Sequence, residues 1–305
     1  MARVLVIGSS NTDLVCRTQR LPVPGQTLRG TSFATFAGGK GANQAVAAAR
    51  AGASVTFAGA IGDDAFGHAR IADLRDEGIN VSYVLIREGV ASGVASILVD
   101  DRGENVIVLV PGANDIVDPE HALHAIGAVY PQVISLTQEV PFETVAAAIR
   151  GKPAGTIVVH NAAPFDERVA TLLDGVDVLV CNESEAAALV GREVSRATAE
   201  DDARALRALG CGSAIITLGA DGAFVADDSE SWHVSSPRVD VVDTTGAGDA
   251  LCGVVAAWLS HGATLREAVE AGVCAGALAV MRAGAQPSLP TREAIESVLR
   301  EQLNS

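Results

Sequence analysis

With 305 residues, 49% of them hydrophobic, the chain is long enough to bury the core of one large α/β domain, and disorder is excluded. Its 37 acidic residues against 22 basic ones leave a formal charge of −15, and the only lysines are Lys40 and Lys152. That balance argues against nucleic acid as a partner, because affinity for it rests on cations that neutralise phosphates. The 5 cysteines, at positions 16, 181, 211, 252 and 274, are scattered with no CxxC pair and read as small buried hydrophobes of a reducing compartment. Residues 4–7 are too few for a signal-peptide core and the apolar run 250–259 is too short to cross a bilayer, so a cytoplasmic protein with no membrane partner is expected.

Residues 3–8 form a β-branched run closed by glycine, the pattern of a buried parallel strand. The small polar residues 9–13 that follow read as a loop at the ligand edge of that strand, where Asn11 and Asp13 would suit a hydroxyl-rich ligand or simply be loop chemistry. Gly8 opens no dinucleotide fingerprint. An extended segment over 27–36 leads to Gly38-Gly39-Lys40-Gly41-Ala42-Asn43 and a helix over 44–51. This is not a Walker A loop, since Lys40 is followed by glycine. It is either a tight strand-to-helix turn or a place where the backbone of Gly39 approaches a ligand while Lys40 and Asn43 reach its hydroxyls.

A strand over 55–60 and a helix over 66–77 continue the β-α alternation. Strands at 83–86, 94–99 and 105–110 then follow one another with no helix between, the last two joined at Asp101-Arg102-Gly103. A small antiparallel lid built from about 12–36 and 83–111 is expected. Residues 97–99 and 106–110 are apolar at consecutive positions, so both lid faces should be covered, one by a substrate and the other by a second subunit. A homodimer through the lid follows, with a sandwich inside one chain as the alternative.

Alternation resumes with helices at 119–128, 142–150 and 167–173 and strands at 133–136, 156–159 and 176–180. Polar residues close these strands: Gln138-Glu139, Asn161, and Asn182 with Glu185, at the edge where doubly wound sheets bind ligands. Asn182 and Glu185 also have the spacing of a capping box for a helix over 183–190, and both readings stand. His121 and His124 lie one helical turn apart with no third ligand near, which suits a solvated face better than a metal. A strand over 214–218 enters a glycine turn at 219–222 and a second strand over 223–226, leaving backbone groups free for the flat parts of a nucleotide.

In Asp243-Thr244-Thr245-Gly246-Ala247-Gly248-Asp249 a polar glycine turn runs straight into an apolar helix. Its unpaired N–H groups and helix dipole suit an anion. Asp249 beside such a site either complements the dipole or takes a proton from an attacking hydroxyl. Helices over 247–260 and 265–281 follow, the second opened by a Thr264–Glu267 capping box, and then an ordered loop over 282–290 whose carbonyls are expected to face Asp243. No internal repeat divides the chain.

Together, Gly38-Gly39-Lys40-Gly41-Ala42-Asn43, Asn182-x-x-Glu185, Thr217-Leu218-Gly219-x-x-Gly222 and the 243–249 stretch resemble the ribokinase (PfkB-type) family of sugar kinases, from about residue 3 to 300. Asn11, Asp13, Pro111-Gly112-Ala113-Asn114 and Gly284-Ala285-Gln286-Pro287-Ser288 place the resemblance nearest the ribose-phosphorylating members.

The resemblance implies one doubly wound, mostly parallel α/β domain over 1–305 with a β-lid, and ATP-dependent phosphorylation of D-ribose at its 5-hydroxyl. Asp249 would be the base, and the N–H groups of Gly246, Ala247 and Gly248 an oxyanion hole. Asn11, Asp13, Gly39, Lys40, Asn43 and Glu139 would hold the sugar. Asn182, Thr217, Leu218, Gly219, Ala220, Asp221, Gly222 and Gly248 would hold ATP, with Mg2+ or another divalent cation reached by Glu185 through water. Asp243, Thr245, Ala279, Arg282, Gly284 and Ser288 would hold an activating K+. Cys181 stands where such chains often carry proline, a change expected only to loosen the turn slightly. Alternatives are the same chemistry on 2-deoxyribose, fructose, a keto-deoxy sugar, adenosine or inosine, and a sugar-binding sensor without catalysis. With 4% aromatic residues the chain offers no evident stacking wall for a nucleoside base, and a sensor would not need Asp249.

Overall fold

The computed structural model describes residues 2–303, so Met1, Asn304 and Ser305 of the expected domain lie outside the described residues. Period-two patterning in its first strand decides the layering. Along β1 (Arg3–Ile7), Val4 and Val6 enter one hydrophobic core while Leu5 and Ile7 enter another on the opposite face. A strand apolar at every position therefore needs helices on both sides.

The chain continues through β2 (Asn11–Arg17), β3 (Ser32–Gly38), α1 (Lys40–Arg50), β4 (Ser54–Gly62), α2 (Ala65–Asp76), β5 (Asn80–Arg87), β6 (Gly93–Val99) and β7 (Asn105–Val110). It then runs through α3 (Pro119–Val129), β8 (Val133–Leu136), α4 (Phe142–Arg150), β9 (Ile157–Asn161), β10 (Val178–Asn182), α5 (Glu183–Val190), α6 (Ala199–Ala208), β11 (Ser213–Thr217), β12 (Ala223–Ala226) and β13 (Ser231–Val234). The last elements are α7 (Ala247–Ser260), α8 (Leu265–Ala279), the short α9 (Ala285–Ser288) and α10 (Arg292–Leu303).

Nine strands form the main sheet in the order β13-β12-β11-β10-β9-β8-β1-β4-β5, all running one way except β12, which pairs antiparallel with both β11 and β13 near one edge. The expected doubly wound sheet is present. One core joins it to α1, α7, α8 and α10, the other to α3, α4 and α6. Because β1 is flanked by β4 and β8, the strand order reverses there, and the C-terminal ends of β1 and β8 open onto the crevice where such sheets bind ligands.

The lid has 4 strands in the order β3-β2-β6-β7. Its outer pairs, β2 with β3 and β6 with β7, are antiparallel as expected, but the central pair β2 with β6 is parallel. Residues 83–86, expected in the lid, lie instead in β5, the parallel edge of the main sheet. There Val84 packs against one core and Tyr83 and Leu85 against the other, so a strand clothed on both faces joins the layer that has two. Asn11 and Asp13 are not in a loop but on β2, and the extended segment expected over 27–36 pairs only from Ser32 onward. The helix expected from 44 already begins at Lys40. Residues 167–173 form tight turns of 3-10 helix, not an α-helix, opened by the Asp166 carboxylate accepting the Arg168 N–H only two residues on. The 282–290 loop contains α9.

Packing between α1 and α7 brings the site together. A Cβ on Gly253 of α7 would stand 2.4 Å from the Gln44 carbonyl oxygen and 2.6 Å from the Ala47 Cβ, so these helices cross at a distance that only glycine permits. The crossing lies one turn beyond Asp249 and sets it against the first turn of α1.

Candidate active site

Three segments meet at the crevice: the end of β1 with β2, the start of α1, and the start of α7. The Ser9 carbonyl accepts the Ala42 N–H at 2.9 Å, tying the end of β1 to the first turn of α1. The Glu139 carboxylate, just past β8, accepts the Lys40 N–H at 3.0 Å and the Ser9 hydroxyl, so it caps that turn with a charge suited to the helix dipole. Asn114 Nδ2 donates to Asn11 Oδ1 at 2.7 Å, and Asn114 Oδ1 accepts the Ser10 N–H at 3.0 Å, which fixes Asn11 on the lid strand.

Asp249 is buried at the head of α7, where its Oδ2 accepts Asn43 Nδ2 at 2.8 Å and its Oδ1 faces Gln44 Nε2 at 3.4 Å. Asn43 Oδ1 is buried without a hydrogen-bond partner, an acceptor that a sugar hydroxyl would satisfy. Burial first, and then the Glu139 and Asp249 charges, push the Asp13 carboxyl up to about 6 against the opposing pull of Arg70. Chiefly the Asp249 charge, aided by Glu139 and Glu185 and opposed by burial, raises the Lys40 ammonium above its ordinary range. Lys40 thus stays charged between the carboxylates of both halves of the crevice.

Gly246 caps α7 in the left-handed region at φ 82°, which glycine adopts without strain, and a Cβ on Gly248 would meet nothing within 4 Å. The Ala247 N–H reaches only the Thr244 carbonyl, at a long 3.4 Å, so the first turn of the helix keeps donors for an anion on the open side of Gly248. That space belongs to a cavity of about 570 Å³ bounded by Thr217, Gly219, Ala220, Gly222, Gly248 and Ala247. Its other walls are mostly apolar, Pro237, Val239, Val241, Leu251, Val273, Gly276, Ala277 and Val280, with Ser236, Arg238 and Thr244 as polar members. Leu218 is buried and does not line it, and Asp221 pairs with Arg196 instead. A larger hollow of about 750 Å³, bordered by His233, Trp258, His261 and Arg292, shares none of these residues and lies away from Asp249.

The capping box at α5 is formed in full: the Asn182 N–H donates to Glu185 Oε2 and the Glu185 N–H to Asn182 Oδ1, both at 2.9 Å. Capping leaves the second Glu185 oxygen uncommitted. Burial, reinforced by the Asp249 charge and opposed by the Asn182 N–H and Lys40, raises the Glu185 carboxyl above its ordinary range. Among the described residues no three His, Cys, Asp or Glu side chains gather around a common point, so the donor set fits a divalent ion held by one carboxylate, water and phosphate oxygens, not a protein cage.

Around Asp243 the polarity differs from expectation. The Gly284 N–H, not a carbonyl, donates to Asp243 Oδ2 at 2.9 Å, while Thr245 donates to Oδ1 through its N–H at 3.0 Å and its hydroxyl at 2.6 Å. Burial pulls this carboxyl up, but those hydrogen bonds and the Arg17 charge outweigh it and hold it below the usual range. The Ser288 hydroxyl donates to the Ala285 carbonyl at 2.8 Å. Both oxygens of this ionised carboxylate thus already accept hydrogen bonds from N–H and hydroxyl donors, which a monovalent cation beside it would have to share.

Sequence reasoning missed Gln44 and Ser135, which sit inside otherwise apolar segments, and the walls supplied by 239–241 and by α8. The small-residue spacing of Val273, Gly276, Ala277 and Val280 along one helical face was the available signal.

A model of the pfkB family carbohydrate kinases matches residues 1–292. The chain is 39% identical to the ribokinase of Schizosaccharomyces pombe over 304 residues, 95% of this chain and 96% of that one. It is 36% identical to the deoxyribokinase of Salmonella typhi, covering 97% of this chain and 98% of that one. A solved structure of Arabidopsis thaliana ribokinase complexed with ribose and ATP superposes with a TM-score of 0.85 at 28% identity, over 97% of this chain and 98% of that one.

Proposed function

This chain belongs to the pfkB family of carbohydrate kinases, and we propose that it transfers the γ-phosphoryl group of ATP to the 5-hydroxyl of D-ribose, yielding ribose 5-phosphate and ADP. One observation carries the reading: a buried carboxylate, Asp249, stands beside the open N-terminus of α7, so a proton acceptor and an anion hole share one helical turn. ATP occupies the cavity against Thr217, Gly219, Ala220, Gly222 and Gly248, its base against the apolar wall from α8. Asn182 borders the phosphates.

Asn11, Asp13, Gly39, Lys40, Asn43 and Glu139 hold the sugar hydroxyls, and Asp249 accepts the proton of the 5-hydroxyl as its oxygen attacks phosphorus. The N–H groups of Gly246, Ala247 and Gly248 receive the charge that grows on the transferring group, and Lys40 adds a fixed cation in an otherwise acidic site. Mg2+ beside Glu185 would neutralise phosphate charge, and K+ held by Asp243, Thr245, Ser288 and the carbonyls of Ala279, Arg282 and Gly284 would strengthen the field at the hole. Turnover should drop when Na+ replaces K+; equal rates would remove the cation site.

Val106, Ile107, Val108 and Val110 of β7 and Phe33 of β3 are exposed at 48%, 54%, 59%, 52% and 65%, apolar surface on both faces of one lid edge strand and on the opposite edge, which supports a homodimer through the lid. A monomer by sedimentation at micromolar concentration would contradict it. No described helix is long and apolar enough to cross a membrane, and five free cysteines suit the cytoplasm we propose as the location.

The deciding experiment measures ADP release, with Mg2+ and K+ present, across ribose, 2-deoxyribose, fructose, adenosine and inosine. Ribose should give the highest kcat/KM. The likeness to a deoxyribokinase makes 2-deoxyribose the second reading, and its preference over ribose would replace the first. No turnover with any compound would leave a sugar-binding sensor.

A further inference from the structure

Gln44 is fully buried in the first half of α1, inside a helix face otherwise made of alanine, valine and glycine. Burying an amide there is costly unless each of its polar atoms is used, and here all are directed. The Ser135 hydroxyl, on β8, donates to Gln44 Oε1 at 2.8 Å, and the ionised Asp249 carboxylate, which can only accept, settles the orientation of the amide: its Nε2 faces Asp249 Oδ1 and Asn161 Oδ1, both at 3.4 Å. The Asn161 amide is oriented in turn, because its Nδ2 donates to the Val180 carbonyl at 3.3 Å. Two N–H hydrogens on Gln44 thus face two acceptors, and neither partner can be reversed without setting like groups against each other.

We propose that Gln44 is a positioning residue that fixes the plane of the Asp249 carboxylate, the base of the proposed transfer. This rests on the kinase reading above. Asp249 has one amide on each oxygen: Gln44 on Oδ1 and Asn43 on Oδ2. Gln44 is tied from behind by Ser135 and Asn161, so it anchors the carboxylate through Oδ1, while Asn43, whose own Oδ1 is unpartnered and free to accept an arriving hydroxyl, holds Oδ2 at 2.8 Å.

Gln44→Leu, which keeps the bulk and removes the amide, tests this against the wild type with the best sugar of the substrate panel. We expect kcat to fall about 10- to 100-fold, the change that loss of one hydrogen bond to a charged group produces. Sugar KM should stay within about threefold, since a lost transition-state contact lowers kcat and kcat/KM together. Ser135→Ala, which leaves Gln44 in place but frees its amide, should lower kcat by less, again with KM within about threefold, and it keeps the test available if Gln44→Leu does not fold. An unchanged kcat in both variants would overturn the proposal while leaving the kinase reading intact. A wild type with no phosphoryl transfer to any sugar would overturn both.

Discussion

The two halves of the crevice are built on opposite principles. On the side proposed for the sugar, side chains are prewired: Glu139 is fixed by Lys40 and Ser9, Asn11 by Asn114, and Asp249 by Asn43 and Gln44. On the side proposed for the nucleotide the walls are mostly apolar side chains and glycine backbone, with Thr217, Ser236, Arg238 and Thr244 among them. The difference matches what each ligand demands. A small sugar is distinguished by hydroxyl positions, which require hydrogen-bonding groups held in place before it arrives. A nucleotide base can be held by flat apolar surface, and its phosphates by backbone N–H groups.

If the sugar side is the chemical half, Asp249→Asn should lower kcat about 100- to 10,000-fold, as loss of a general base does, while ribose still binds by calorimetry. Full activity would remove Asp249 from that role. Glu185→Gln lies between the halves: the amide retains an oxygen for the cap but loses the charge for a divalent ion. Turnover at limiting Mg2+ should fall about tenfold, in line with the weaker hold of a neutral ligand on a hard cation, with little change in melting temperature. Loss of stability alone would return Glu185 to a purely capping role.

Bulk added to the nucleotide wall should act only there. Ala277→Leu is expected to raise the ATP KM about tenfold with the sugar KM unchanged, the scale of a steric mismatch in an apolar pocket. A matching rise in sugar KM would show that the halves are not separable. The smallest effect concerns Asp13. Its carboxyl titrates near 6, well above the ordinary value, so the ionised acceptor is present only above that pH and sugar KM should rise as pH falls through about 6. Asp13→Asn should remove this limb. It should also raise the melting temperature near pH 7.5, because a carboxyl raised on folding is costly when ionised, with the gain shrinking as pH falls through about 6.

The same division explains what could be read from sequence. Parallel strands were legible because burial on two faces forces unbroken apolar runs such as 4–7. The turn before α7 was legible because Gly246 stands at φ 82°, where glycine is favoured. Residues 83–86 were assigned to the wrong sheet, since a strand at the edge of the main sheet and a lid strand share the same β-branched pattern and only partner choice separates them. Gln44 was passed over because a single polar residue in an alanine-rich helix announces nothing until Ser135 and Asn161, some ninety to 117 positions away, are seen to meet it. Val273 and Ala277 were hidden for the opposite reason: core and ligand wall select the same small apolar side chains.

The central claim is phosphoryl transfer to one hydroxyl of ribose, and it is tested most directly by phosphorus NMR of the product formed from ribose, ATP, Mg2+ and K+ by the unaltered protein. The account predicts a single phosphomonoester coupled to the methylene protons at carbon 5, appearing in step with ADP. A phosphate on the anomeric carbon, or ADP release without a sugar phosphate, would contradict it.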